Sequence, residues 1–173
     1  MNKYPVQPSP ATAAPRRKKR PDILSGIAAV LLVLLLGAIS WPTYWKASRL
    51  RKQKISIGDL RSIGTAVESY AVDYNRYPAS AASLPPGPYP SRPIHPSMVS
   101  SLEPTYIRKL PLSDGWGAPF LYRTTPKDDN YVIVSTGRDG IPGPFTLGPT
   151  TSFDADIVFS NGQFVQYPEG SCQ

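Results

Sequence analysis

The chain has 173 residues and a formal charge of +7. The excess is local: residues 1–54 carry 11 Lys/Arg and one acid, Asp22, whereas residues 55–173 carry 8 Lys/Arg against 11 Asp/Glu. A nucleic-acid-binding domain needs cations on its folded surface, so this distribution argues against that class and leaves room for one small domain plus extras.

Residues 1–21 are rich in Pro, Ala and Lys/Arg and lack apolar periodicity, which predicts a disordered basic tail. A transmembrane helix is expected over 22–43. Its centre, Ile23 to Trp41, holds no charge and approaches the ~20 residues needed to cross a bilayer. A cleaved signal is the competing reading. The run exceeds the ~7–15 apolar residues of a signal and "AISWPTYWK" offers no small-x-small site, which favours a retained anchor. Trp41, Tyr44 and Trp45 suit an interfacial belt. Pro42 either kinks the helix or marks its end. Six basic residues precede the span and Lys46, Arg49, Arg51, Lys52 and Lys54 follow it, so the positive-inside rule favours a cytoplasmic N-terminus by a small margin.

Residues 44–77 read as an amphipathic extension of that helix, a spine. Ile57, Leu60, Ile63, Val67, Tyr70 and Tyr74 recur at spacings of three and four, which is one helical face. Gly58 and Gly64 each cost up to ~1 kcal/mol relative to Ala, so packing must support the helix. Pro78 stops it. Residues 78–173 then form a loop and a small β domain. The stretch 79–97 holds six prolines and reads as an extended surface loop, followed by at most one short helix in "MVSSLEPTYIRKLP". "PFLYRTT" and "NYVIVST" read as strands about the turn "PKDD". "ADIVFSNGQFVQY" is a hairpin about Asn161-Gly162, the preferred pair for a type I′ turn. The fold class expected is α+β: a long N-terminal transmembrane and spine helix packed on a small antiparallel sheet.

The blocks "DLRSIGTAVESYAVDYNRYP", "YIRKLPLSDGWGAPFLYR", "YVIVSTGRDGIPG" and "DADIVFSNG" occur in an order and at spacings that resemble the major pseudopilin family of type II secretion systems, in the type IV pilin-like superfamily. The resemblance implies a pilin-like fold and a single-pass protein of the inner membrane, with a cytoplasmic N-terminus and an extracytoplasmic C-terminal domain. It also implies a non-catalytic structural role through contact with other pseudopilin or secretion-machine subunits, or with further copies of the chain. One departure stands out. The family carries a prepilin cleavage signal and a Glu early in the apolar run; here Gly26 is followed by Ile27, and Val30 or Leu31 holds the Glu position. That departure favours a second reading, an anchored extracytoplasmic scaffold or binding domain that does not polymerise.

The resemblance also implies a calcium site. Asp139 of "TGRDGIPG" and Asp154 and Asp156 of "DADI" match the family's metal acids, with Thr136 and Ile141 as backbone carbonyl donors. Ca²⁺ takes ~6–8 oxygens, which acids brought together by a curled loop can supply. The bland reading makes Asp139-Gly140 a turn and Asp154 and Asp156 strand flanks. Elsewhere, Trp116 is expected to pack on the spine helix, Asp114 to serve as a turn or capping acid, and Tyr70, Tyr74 and Tyr77 to pack near the helix end. His95 reads as an exposed loop residue with no nucleophile framing it. Cys172 is the lone cysteine, so no internal disulfide forms. Neither a nucleophile elbow nor a phosphate-binding glycine loop occurs in the sequence, which excludes two common enzyme classes.

Overall fold

The structure, a computed structural model, describes residues 23–79, 92–125 and 130–170. The basic tail 1–21, most of the Pro-rich stretch (80–91), the turn 126–129 and Cys172 lie outside the described residues. The chain divides into two compact units, Met1–Pro42 and Thr43–Gln173. Helix α1, Ile23–Tyr74, runs through both, and its helical assignment does not break at Pro42. In the first unit every described side chain from 23 to 41 is exposed, including Leu31, Leu34 and Leu36. A fully exposed apolar helix of this length suits lipid rather than water.

In the second unit, α1 presents the face that the apolar spacing predicts. Ile57, Leu60, Ile63 and Val67 are buried, with Tyr70 packed at the edge. Tyr74 leaves this face: it is exposed and stacks on Tyr70, ring centroids 4.4 Å apart. Asn75, in a left-handed conformation (φ 53°), ends the helix ahead of Pro78. Gly64 is the closest approach. A Cβ there would collide with the Phe159 ring, so only glycine lets this turn of helix seat on the sheet.

Helix α2, Pro96–Leu102, is capped by His95, whose exposed imidazole accepts from the Ser97 amide. Met98 and Leu102 enter the core. Five strands follow: β1 Leu121–Thr124, β2 Tyr131–Ser135, β3 Gly148–Thr150, β4 Ile157–Ser160 and β5 Gln163–Pro168. They form one sheet in the order β1-β2-β4-β5-β3. Side chains alternate across it. Tyr122, Tyr131, Ile133, Ile157 and Phe159 join the helix-facing core, and Leu121, Val134 and Val158 form a smaller cluster with Phe145 on the other face. Each fully buried side chain of this size contributes roughly 1.5–3 kcal/mol, which offsets the glycines in α1. The β4–β5 turn is the expected one, with Asn161 at φ 47° and Gly162 at φ 82°.

The sheet is mixed rather than purely antiparallel. β1, β2, β4 and β5 are antiparallel neighbours, but β3 pairs parallel with β5, Gly148 opposite Gln166 and Thr150 opposite Pro168. β3 comes from the insertion between the two acidic blocks. The chain leaves β2, crosses beyond β4 and β5 and returns, so its edge strand runs in the same direction as β5.

Candidate functional site

Two loops carry buried carboxylates. The first is the turn 112–119 against α1. Asp114 accepts from the Trp116 and Ala118 amides on one oxygen and from the Ser135 hydroxyl, at 2.6 Å, on the other. Gly115 lies directly on the Lys52 carbonyl, and its amide donates to Ser56 Oγ at 3.0 Å. Trp116 is half-buried beside α1, with Lys52 Nζ 5.3 Å from its ring centroid. These contacts make Asp114 a turn acid and Trp116 a packing residue, as the sequence suggests.

The second is the loop from Thr136 to Asp156, between β2 and β4, where the metal-ligating residues were expected. The β2–β4 ladder pairs Ser135 with Ile157, so Thr136 and Asp156 face each other one step beyond it. Both are buried, and both hold an oxygen without a partner: Thr136 Oγ1 and Asp156 Oδ1. The other Asp156 oxygen accepts from the Gly143 amide at 3.0 Å. Burial pushes the Asp156 carboxyl up to about 6; the Gly143 amide opposes that shift, and the negative charge of Asp139 adds to it. Asp139 itself is exposed and accepts from the Ile141 amide, closing an Asx turn that Gly140 completes at φ 68°. Ile141 is exposed.

Asp154 is placed elsewhere. Its two oxygens accept from Arg138 Nε and Nη2, both at 2.6 Å, and the Arg138 amide donates to the Phe153 carbonyl at 2.8 Å. Gly137 lets the chain turn tightly there; a Cβ would lie 2.9 Å from the carbonyls of Asp154 and Ala155. The loop therefore gathers Asp139, Asp156 and Thr136 and assigns Asp154 to a guanidinium. Among the described residues, no three His, Cys, Asp or Glu side chains come together closely enough to hold a metal ion. The fit to a cation rests instead on two buried acceptor oxygens that no proton donor reaches, beside a second carboxylate. That donor set suits a hard, oxygen-seeking cation.

Two residues of this loop escape a reading by motif. Gln166, fully buried on β5, donates to the Asp156 carbonyl at 2.9 Å and accepts from the Thr146 amide at 2.7 Å, tying both ends of the insertion to the sheet. Arg138 stands between Gly137 and Asp139, and a cation inside an acidic motif was the signal for its pairing.

Comparison with known proteins decides the family. A family model described as type II secretion system (T2SS), protein G, matches residues 45–158, about two thirds of the chain. The chain belongs to that family. Among its protein G relatives, the type II secretion system core protein G of Pseudomonas aeruginosa is 27% identical over 135 residues, covering 74% of this chain and 89% of the relative. The core protein G of Pectobacterium carotovorum subsp. carotovorum is 27% identical over 128 residues, 73% of this chain and 80% of the relative. The crystal structure of the major pseudopilin from the type 2 secretion system of enterohaemorrhagic Escherichia coli is also similar. It aligns with a TM-score of 0.35 at 25% identity, covering 68% of this chain and 90% of that one. The family match over residues 45–158 includes the packed part of α1, the Asp114 turn and both acidic blocks of the loop.

Proposed function

We propose that this protein G family member is a membrane-anchored, pseudopilin-like structural subunit of a type II secretion or type IV pilus-like machine. It acts by contact with other machine subunits and with copies of itself, and not by catalysis. The observation that carries this reading is the family match over residues 45–158. The exposed apolar helix that precedes it supports the anchor. In this reading the anchor lies in the inner membrane, with the N-terminus in the cytoplasm and the folded domain outside. Photo-cross-linking from Val72, an exposed α1 residue (84%), tests this in cells. The expected outcome is a ladder of adducts with copies of the chain or other secretion subunits, and loss of secretion when the gene is deleted.

A second reading, an anchored scaffold that does not polymerise, draws support from one observation: α1 holds no acid before Asp59. Monomer-only cross-linking with secretion intact would favour it.

The proposal extends to a calcium ion in the Thr136–Asp156 loop. Asp156 and Asp139 would supply carboxylate oxygens, with Thr136 and Ile141 adding neutral ones, and Asp154 would join only on leaving Arg138. The ion would bring positive charge to oxygens that have no donor, and so hold the long insertion against the sheet. Support for this lies in the orphaned oxygens of Asp156 and Thr136.

A further inference from the structure

The stretch of α1 from Tyr44 to Lys54 has no role in the core. Tyr44 is exposed (71%), as is Trp45. Lys46, Arg51, Lys52 and Lys54 are exposed and Arg49 is half-buried. Gln53 is the one fully buried residue of this stretch. Lys52 lies over the Trp116 ring. Among the described residues, none of Lys46, Arg49, Arg51 and Lys54 enters an ion pair. No acid occurs between Asp22 and Asp59, so the helix offers these cations no nearby counter-charge.

Their arrangement narrows what they bind. A helix turns about 100° per residue, so positions 46, 49, 51 and 54 spread over about 200° of its circumference and not along one stripe. A protein partner or a duplex meets a helix from one side. A layer of lipid headgroups surrounds it. The first cation comes five residues after Trp41, the end of the apolar run, and the four occupy about 12 Å of axis. The long side chains of Lys46 and Arg49 can bend back toward a bilayer surface, while Arg51 and Lys54 stand further out, where an anionic surface still attracts them over a distance on the order of a Debye length. The rest of the domain, residues 55–173, carries more acids than bases and would be repelled by an anionic surface, so any attraction must be local to this collar.

We propose that Lys46, Arg49, Arg51 and Lys54 form a collar that binds the phosphates of anionic phospholipids in the leaflet where α1 leaves the membrane. The proposal rests on the membrane-anchor reading above. Clusters of this size next to a span attract acidic lipid strongly, each charge adding severalfold. The collar would fix the depth of the helix and concentrate acidic lipid around it.

The test uses the full chain extracted from membranes in a neutral detergent. Native mass spectrometry then reads bound lipid with phosphatidylglycerol and phosphatidylcholine offered in equal amounts. The wild-type protein should retain phosphatidylglycerol in preference, and Lys46→Gln/Arg49→Gln/Arg51→Gln/Lys54→Gln should lose about tenfold or more of that preference. A Lys46→Arg/Lys54→Arg variant, which keeps the charge, should retain it. A variant with Arg16 to Arg20 changed to Gln should retain it as well. Equal preference in the wild type and the four-Gln variant would overturn the proposal, as would loss only in the Arg16–Arg20 variant. Displacement of the lipid by millimolar inorganic phosphate, or by a short DNA duplex, would also overturn it, because the collar would then be a general polyanion site. Recovery of the wild-type chain in the soluble fraction would instead refute the anchor reading. A membrane-bound chain without lipid preference refutes the collar alone.

Discussion

Asp114 and Asp156 are both nearly inaccessible carboxylates at the end of the same sheet, yet their surroundings differ. Asp114, in the turn 112–119, has two amides and a hydroxyl as donors. Asp156, in the loop 137–156, has one amide and one oxygen with nothing to accept from. A buried charge is tolerable when donors replace its water and costly when they do not. The first aspartate is thus a completed structural element. The second is costly to ionise, because burial raises its carboxyl and one amide answers only part of the charge.

The largest expected effect tests the completed side. Asp114→Ala should destabilise the domain by about 3 kcal/mol or more, since it strands two amides and the Ser135 hydroxyl and opens the contact between the turn and α1. Denaturant titration of the detergent-solubilised chain checks this. A loss below 1 kcal/mol would mean the turn holds without its acid. Calcium probes the other side. If the loop binds it, calcium at about 100 times its dissociation constant should raise stability by about 2.7 kcal/mol over a chelator control. Asp139→Ala should remove that gain. An unchanged melt would leave the loop without a metal role.

The next effect concerns protons. The Asp156 carboxyl titrates near 6 in the fold against 3.8 in its ordinary range. A raised acid favours the folded state when protonated, so this contribution is fully present below about 3.8 and is lost as pH rises through about 6. The metal-free protein should therefore gain about 1–2 kcal/mol from this group between pH 7 and pH 5. Asp156→Asn, which keeps the acceptor for Gly143 and removes the charge, should gain at least that much at pH 7 and flatten the pH profile. Loss of stability in that variant would show that the charge is already compensated.

Much of this contrast could be read in the sequence, and the missing parts have physical reasons. The α1 face followed from spacing because Ile57, Leu60, Ile63 and Val67 obey helical period over a long stretch. The Asn161-Gly162 hairpin followed from local turn chemistry. β3 did not, because "GPT" is three residues long, contains Gly and Pro, and pairs only through the closure of the whole insertion onto β5. Tyr74 was assigned one turn too far along the buried face, where the helix has already left the sheet. In the loop, the acids could be found by type and spacing, but how they divide between partners could not. That division depends on where Arg138 points, which only the fold of the loop determines.

Arg138 and Asp154 give the smallest expected effect and the finest test of the comparison. The pair is bidentate and well aligned, yet both side chains are about 40% exposed, so water and salt screen it. Exposed pairs contribute little to stability, and Arg138→Met should leave the metal-free melt almost unchanged. The change should have a larger consequence for calcium. The guanidinium neutralises Asp154 and adds a positive charge near Asp139, and both effects oppose a second cation in the same loop. Removing it frees a third carboxylate next to Asp156 in sequence and lowers the local positive charge. Arg138→Met should therefore bind calcium more tightly than the wild type, seen as a larger stabilisation at the same subsaturating calcium concentration. If calcium affinity instead falls, Arg138 shapes the loop for the ion and does not compete with it. The unfinished carboxylate at Asp156 would then depend on that ion pair being intact.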